Sequence, residues 1–173
     1  MNAVYPIHLP ENGTPGHCLA TFATTITAIA IDLGTYIDGH FTAIEGPDWF
    51  QKLEDFRSAN NPKHMRSRNC LDFSWVVNEP LKNSSSPVRE LLPKGKPFYD
   101  LLSDLRDARN RWFHDYQPHN LGELNKALKT AFQISKACAL TITDEIAAAI
   151  IRVEQIISGA YTPSITKVSE NAS

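Results

Sequence analysis

The chain has 173 residues, 42% of them hydrophobic and 21% charged, and a net charge of −2. That length suits one domain with a sizeable core, and the composition is that of an ordinary soluble globular protein. The near-neutral balance excludes a protein that coats nucleic acid by bulk positive charge, but not one that carries a small basic cleft.

Cys18, Cys70 and Cys138 stand far apart, with no CxxC pair and no Cys/His spacing typical of zinc. They read as buried, reduced thiols, which fits a cytoplasmic protein with no metal and no cofactor. The N-terminus lacks a basic region before an apolar run and so does not read as a secretory signal.

Residues 1–16 carry Pro6, Pro10, Pro15, Gly13 and Gly16 and predict an irregular arm. Residues 17–44 predict one long helix, with Leu19, Phe22, Ile26, Ile29 and Leu33 at steps of three and four. Its stretch "LATFATTITAIAI" holds four threonines and ends at Asp32, which reads as short of the ~20 residues needed to span a bilayer. A buried helix is therefore expected, and no membrane association. A strand pair over 21–31 fits less well, because alternation is poor.

A second helix is predicted from Pro47, and "NNPKHMRSRN" (60–69) is a basic loop. "CLDFSWVVNEPL" predicts a third helix, disturbed at Pro80. Ser86 as cap, Pro87 and Glu90 predict a short helix that stops at Pro93.

The clearest element is 97–115, "PFYDLLSDLRDARNRWFHD", with Phe98, Leu101, Leu102, Leu105 and Trp112 in a helical stripe and Asp100, Asp104 and Asp107 opposite. Pro118 stops it, and Asn120 caps the next helix with Glu123 at the capping-box position. A last helix spans about 143–157, with Gly159 at its C-terminal stop. The expectation is an all-α bundle of about five or six helices: one helical domain over 17–159, followed by a flexible tail over 160–173.

Within the 97–115 helix, "RNRWFH" (109–114) concentrates unusual chemistry. Arg109 falls on the apolar stripe beside Leu102, Leu105 and Trp112. A buried unpaired guanidinium is expensive, so it needs a partner or a wet cleft. Asn110 and His114 are four residues apart and share another face. An imidazole titrates near neutrality and can serve as acid or base. Together the three can bind a phosphate, orient it and move a proton. Five residues of ideal helix nevertheless separate Arg109 and His114 by about 140°. They meet only if the arginine stem bends round, if the helix loosens before Pro118, or if a second subunit completes the site. Alternatively, the residues simply cap and solvate a helix end.

Arg106 and Arg111 flank the motif and read either as phosphate contacts or as partners of Asp104, Asp107 or Asp115. Lys63, Arg66 and Arg68, with His64, form a basic loop that reads as a solvated loop or as a track for RNA backbone. Trp112 reads as core or dimer packing, and the Asp100/Asp104/Asp107 face as solvated rather than magnesium-binding. His17, His40 and His119 show no nucleophile–base spacing.

"RNRWFH", in the context "LSDLRDARNRWFHDY", resembles the signature of the HEPN superfamily (higher eukaryotes and prokaryotes nucleotide-binding domains). That signature is an arginine, a polar residue that is often asparagine, and a histidine four to six residues beyond the arginine. It matches at Arg109, Asn110 and His114, and the resemblance covers residues 70–140. The branch it resembles occurs in RNA-surveillance and bacterial defence proteins. The loop after the motif departs from that branch in holding Tyr116.

The resemblance implies a helical bundle that forms a two-fold homodimer, with RNA as substrate and metal-independent endoribonuclease activity of the kind seen in toxins and defence effectors. An antitoxin or regulatory protein is an implied partner. By resemblance, His114 assists attack of the ribose 2′-hydroxyl or protonates the leaving oxygen, Arg109 stabilises charge on the phosphate, and Asn110 orients the phosphate or His114. The alternative is a catalytically silent HEPN module that binds RNA, a nucleotide or a protein partner.

Overall fold

The computed structural model describes residues 6–61, 63, 69–82, 86–114 and 119–161. Among these residues there are seven helices and no strand: α1 (Pro15–Glu45), α2 (Trp49–Asn60), α3 (Phe73–Lys82), α4 (Val88–Leu91), α5 (Lys96–His114), α6 (Leu121–Ala137) and α7 (Thr143–Ile157). The count exceeds the expected five or six and includes the single turn α4. The principal packings are α6 on α7, α5 and α1, and α3 on α5 and α1.

The N-terminal arm runs irregularly over residues 6–14 and is held to the bundle. Ile7 is buried, and the His8 amide donates to Thr24 Oγ1 at 3.0 Å. Pro15 stands in the first turn of α1, where its missing N–H removes no helical bond.

α1 is the spine. Phe22, Ile26, Ile29, Leu33 and Ile37 all lie in the core. Its threonines are tolerated because their hydroxyls turn back onto the helix: Thr21 Oγ1 donates to His17 O at 3.0 Å and Thr25 Oγ1 to Thr21 O at 2.8 Å. The apolar run does not stop at Asp32. α1 is long and apolar enough to cross a membrane, so length alone excludes nothing, while 56% of its most apolar stretch is buried inside the bundle.

Two contacts made by α1 depend on single residues. Gly34 lies under the turn that precedes α3: a Cβ there would sit 2.6 Å from the Cys70 carbonyl oxygen and 2.9 Å from Leu71 Cα. Both are backbone atoms that cannot swing aside. Gly34→Ala is therefore expected to destabilise the protein by about 2 kcal/mol in urea unfolding. Gly39 of the same helix has open space around it. Gly39→Ala should instead stabilise by up to about 1 kcal/mol through helix propensity. Equal responses at the two sites would contradict the packing.

The second contact is Asp32, whose Oδ2 accepts from the Ile142 amide at 2.9 Å and from Thr141 Oγ1 at 3.0 Å. α7 has no side-chain cap of its own, so a carboxylate from α1 satisfies a donor at its start.

α2 is tied to α1 by Trp49, whose Nε1 donates to Asp38 Oδ1 at 2.8 Å and whose ring stacks on Phe41 at 4.8 Å. α3 runs on to Lys82 with Pro80 inside it. Ser86 does not cap α4. Its hydroxyl donates to the buried Glu79 carboxylate, which also pairs with Arg57 of α2, and Pro87 takes the cap position. Bonding a buried carboxylate outweighs capping a single turn.

α5 buries Phe98, Leu102, Leu105, Ala108 and Trp112. α6 starts as expected, Asn120 Oδ1 accepting from the Glu123 amide at 3.0 Å. Gly159 follows α7 with φ +71°, a conformation favourable to glycine. The segment expected to be loose from 160 stays attached at first: the Ala160 and Tyr161 amides both donate to Gln155 O, and Arg152 covers the Tyr161 ring at 4.2 Å. Residues 162–173 lie outside the described residues.

All three cysteines are free and buried. Burial pushes the Cys138 thiol up to about 12 and, with Asp38 nearby, the Cys70 thiol up to about 11. Burial raises Cys18 as well. A thiol must lose its proton to react, so all three should resist a disulfide reagent at pH 8 in the native protein and react promptly in urea. Rapid native labelling of Cys138 would contradict its burial.

Candidate functional site at the end of α5

α5 presents three faces. The inner one is the apolar stripe, from Phe98 to Trp112. Trp112 ends it, stacked at 4.5 Å on Phe22 of α1 and covered on its other side by the parallel His119 ring at 4.2 Å. Trp112 is thus core packing.

The second face looks toward α3. Arg106, Arg109 and Asn110 line a cleft of about 280 Å³, with Phe73, Ser74 and Asn78 of α3 opposite. Arg109 sits where the stripe meets this cleft and is half-buried. Of the two outcomes its position required, a partner or a wet cleft, it has the cleft.

Arg109 Nη1 donates to Asn110 Oδ1 at 3.3 Å, and its guanidinium lies 5.4 Å from the centre of the Phe113 ring. Neither contact neutralises it, and it forms no ion pair with a described residue. Arg106 is engaged: it pairs with Asp107 at 2.9 Å and donates to Ser103 Oγ at 3.1 Å. The described residues lining the cleft therefore include two guanidinium groups, one of them paired with Asp107, and no carboxylate, a balance that favours an anion.

His114 lies in the last turn of α5 and is exposed. It is one turn beyond Asn110, on the side of the helix away from the core, and is not among the residues lining the cleft. It makes no hydrogen bond to another described residue. The fold thus brings Arg109 and Asn110 together and leaves His114 on the adjoining surface, as the 140° separation on an ideal helix requires.

Arg111 faces a different groove, of about 220 Å³, between α5 and α6. Asp104, Asp107, Glu123 and Lys126 also line it. It does not share the cleft of Arg106 and Arg109. Lys63 is exposed beyond the end of α2; Arg66, Arg68 and His64 lie outside the described residues. The Asp100, Asp104 and Asp107 side chains are exposed, and no group of three or more His, Cys, Asp or Glu placed to hold a metal occurs among the described residues.

Sequence reasoning missed the α3 wall and His119. Ser74 and Asn78 are polar residues four apart, and so share one face of α3, a signal that was present. Nothing local marks His119 as the lid of Trp112, because His119 lies outside the helix that carries Trp112. No protein-family model, curated protein or solved structure matches this chain.

Proposed function

We propose that the protein is a metal-independent endoribonuclease of HEPN type, and that it acts as a homodimer. The observation that carries this reading is the half-buried Arg109, bonded to Asn110 at the cleft wall and without a carboxylate partner among the described residues. An RNA phosphate in the cleft accepts from the Arg109 guanidinium, with Arg106 contributing charge. Asn110 then holds Arg109 or the phosphate in place.

His114 supplies the proton transfer. It takes the proton of the ribose 2′-hydroxyl as that oxygen bonds to phosphorus, or gives a proton to the departing 5′-oxygen as its bond to phosphorus breaks. The products are a 2′,3′-cyclic phosphate and a free 5′-hydroxyl. Because His114 lies outside the cleft of its own chain, a second copy packed along the exposed end of α5 brings its own histidine to the phosphate.

That same position of His114 favours a second reading, in which the cleft binds RNA or a nucleotide without cutting it. The two are separated by incubating the purified protein with RNA in EDTA and examining the product ends. Fragments ending in 2′,3′-cyclic phosphate, lost in the Arg109 and His114 variants, support the nuclease. Equal activity in wild type and variants would mark a contaminant and sink it. Binding without cleavage selects the second reading.

A further inference from the structure

Arg109, Asn110, Phe113 and His114 are spaced i, i+1, i+4 and i+5, so they form one patch at the end of α5. At about 100° per residue their order round the helix is Arg109, Phe113, Asn110, His114. The Phe113 ring therefore stands between the group read as the phosphate contact and the group read as the acid or base. It is the one apolar member of the four, and it is 47% exposed. Its neighbour Trp112 fills the core position instead, stacked on Phe22 at 4.5 Å. Phe113 meets Phe22 only at 6.1 Å and tilted by 42°, and the Arg109 guanidinium lies 5.4 Å from its ring centre. The ring is thus held beside Arg109 without being closed over by protein.

We infer that Phe113 is a stacking platform for one unpaired base next to the phosphate held by Arg109. The inference rests on the reading that Arg109 takes an RNA phosphate. A nucleotide whose phosphate sits on that guanidinium carries its base within reach of a ring 5.4 Å away. Unpaired bases stack on aromatic side chains of this kind. Every base has an aromatic face, so the platform does not choose among them. A base inside a duplex has both faces covered by its neighbours, so the platform takes single strands. The extent of the surface also points to a base. One half-exposed ring is far short of the ~800 Å² that each partner gives a stable interface, so the ring alone does not seat a second copy of the chain.

The test is fluorescence anisotropy on full-length protein carrying His114→Ala to prevent cleavage. The probes are labelled hexa-uridylate RNA and a labelled hexamer of abasic ribose units, which has the same phosphates and no bases. Hexa-uridylate should bind about five- to 150-fold more tightly, the worth of stacking one base on an aromatic ring. Adding Phe113→Ala should bring it to the abasic level and leave the abasic hexamer unchanged. Phe113→Tyr, which keeps a ring, should keep the difference. Adding Arg109→Ala should weaken both probes alike. Circular dichroism melts confirm that each variant is folded, and sedimentation reports its oligomeric state. A difference that survives Phe113→Ala, or no difference at all, overturns the platform and leaves the phosphate reading standing. An equal loss for both probes in Phe113→Ala also overturns it: the ring then serves Arg109 if the oligomeric state is kept, or a contact between copies if it is lost. Failure of both probes to bind overturns the platform and the phosphate reading together.

Discussion

Arg109→Ala is expected to reduce RNA cleavage by about 10²- to 10³-fold, the usual cost of removing a donor aimed at developing charge. His114→Ala should reduce it by about 10²- to 10⁴-fold, the usual contribution of a positioned acid or base. Neither loss should be a folding defect. His114 is exposed, and Arg109 bonds a neutral amide and lies over an aromatic ring, so its removal strands no buried carboxylate. Arg106→Ala is the control. Its guanidinium is already shared between Asp107 and Ser103, and its loss should weaken RNA binding several-fold with a smaller effect on turnover. Rates measured on a labelled RNA in EDTA, beside thermal melts of each variant, check all three. A variant that melts normally and cuts at the wild-type rate removes that residue from the mechanism. If the site is shared between two copies, mixing inactive Arg109→Ala with inactive His114→Ala should restore part of the activity, because a mixed dimer retains one intact site.

Trp112→Ala should produce the largest loss of stability, about 3–5 kcal/mol in urea unfolding. Trp112 is 5% exposed, stacked on Phe22 and overlaid by His119, so truncation empties a space bounded by rings from two other parts of the chain. For a protein of this length the loss corresponds to a fall in Tm of about 6–20 °C. Trp112→Phe should retain most of the stability, and Phe113→Ala, at a position 47% exposed, should cost about 1 kcal/mol or less. A cost below about 1 kcal/mol for Trp112→Ala would mean that the stack is not holding α5 to α1. Adjacent residues of one motif therefore divide between packing and chemistry. The prediction separates them: Trp112 variants should lose stability before specific activity, and His114 variants the reverse.

Much of the bundle was legible because helices are written locally. The long α1, the start of α6 at Asn120 and the turn at Gly159 follow from spacing, a capping oxygen and a glycine, each confined to a few neighbouring residues. Where distant residues compete, local reading failed. Ser86 has the chemistry of a cap, but the buried Glu79 carboxylate claims its hydroxyl. Asp32 looks like the polar end of an apolar run, yet it lies within α1 and bonds the start of α7, 110 positions away.

The candidate site divides in the same way. The sequence by itself determined that Arg109 intrudes on an apolar stripe and that His114 points elsewhere, because a helix turns by a constant angle per residue. It also determined the all-α architecture, through the period of its apolar residues. Only the tertiary structure decided what surrounds Arg109: a cleft walled by Phe73, Ser74 and Asn78, with no carboxylate partner among the described residues. It likewise sent Arg111 to the α5–α6 groove and laid His119 over Trp112. Those outcomes depend on which helix packs against which face, and that is set by the joint burial of side chains far apart in the chain.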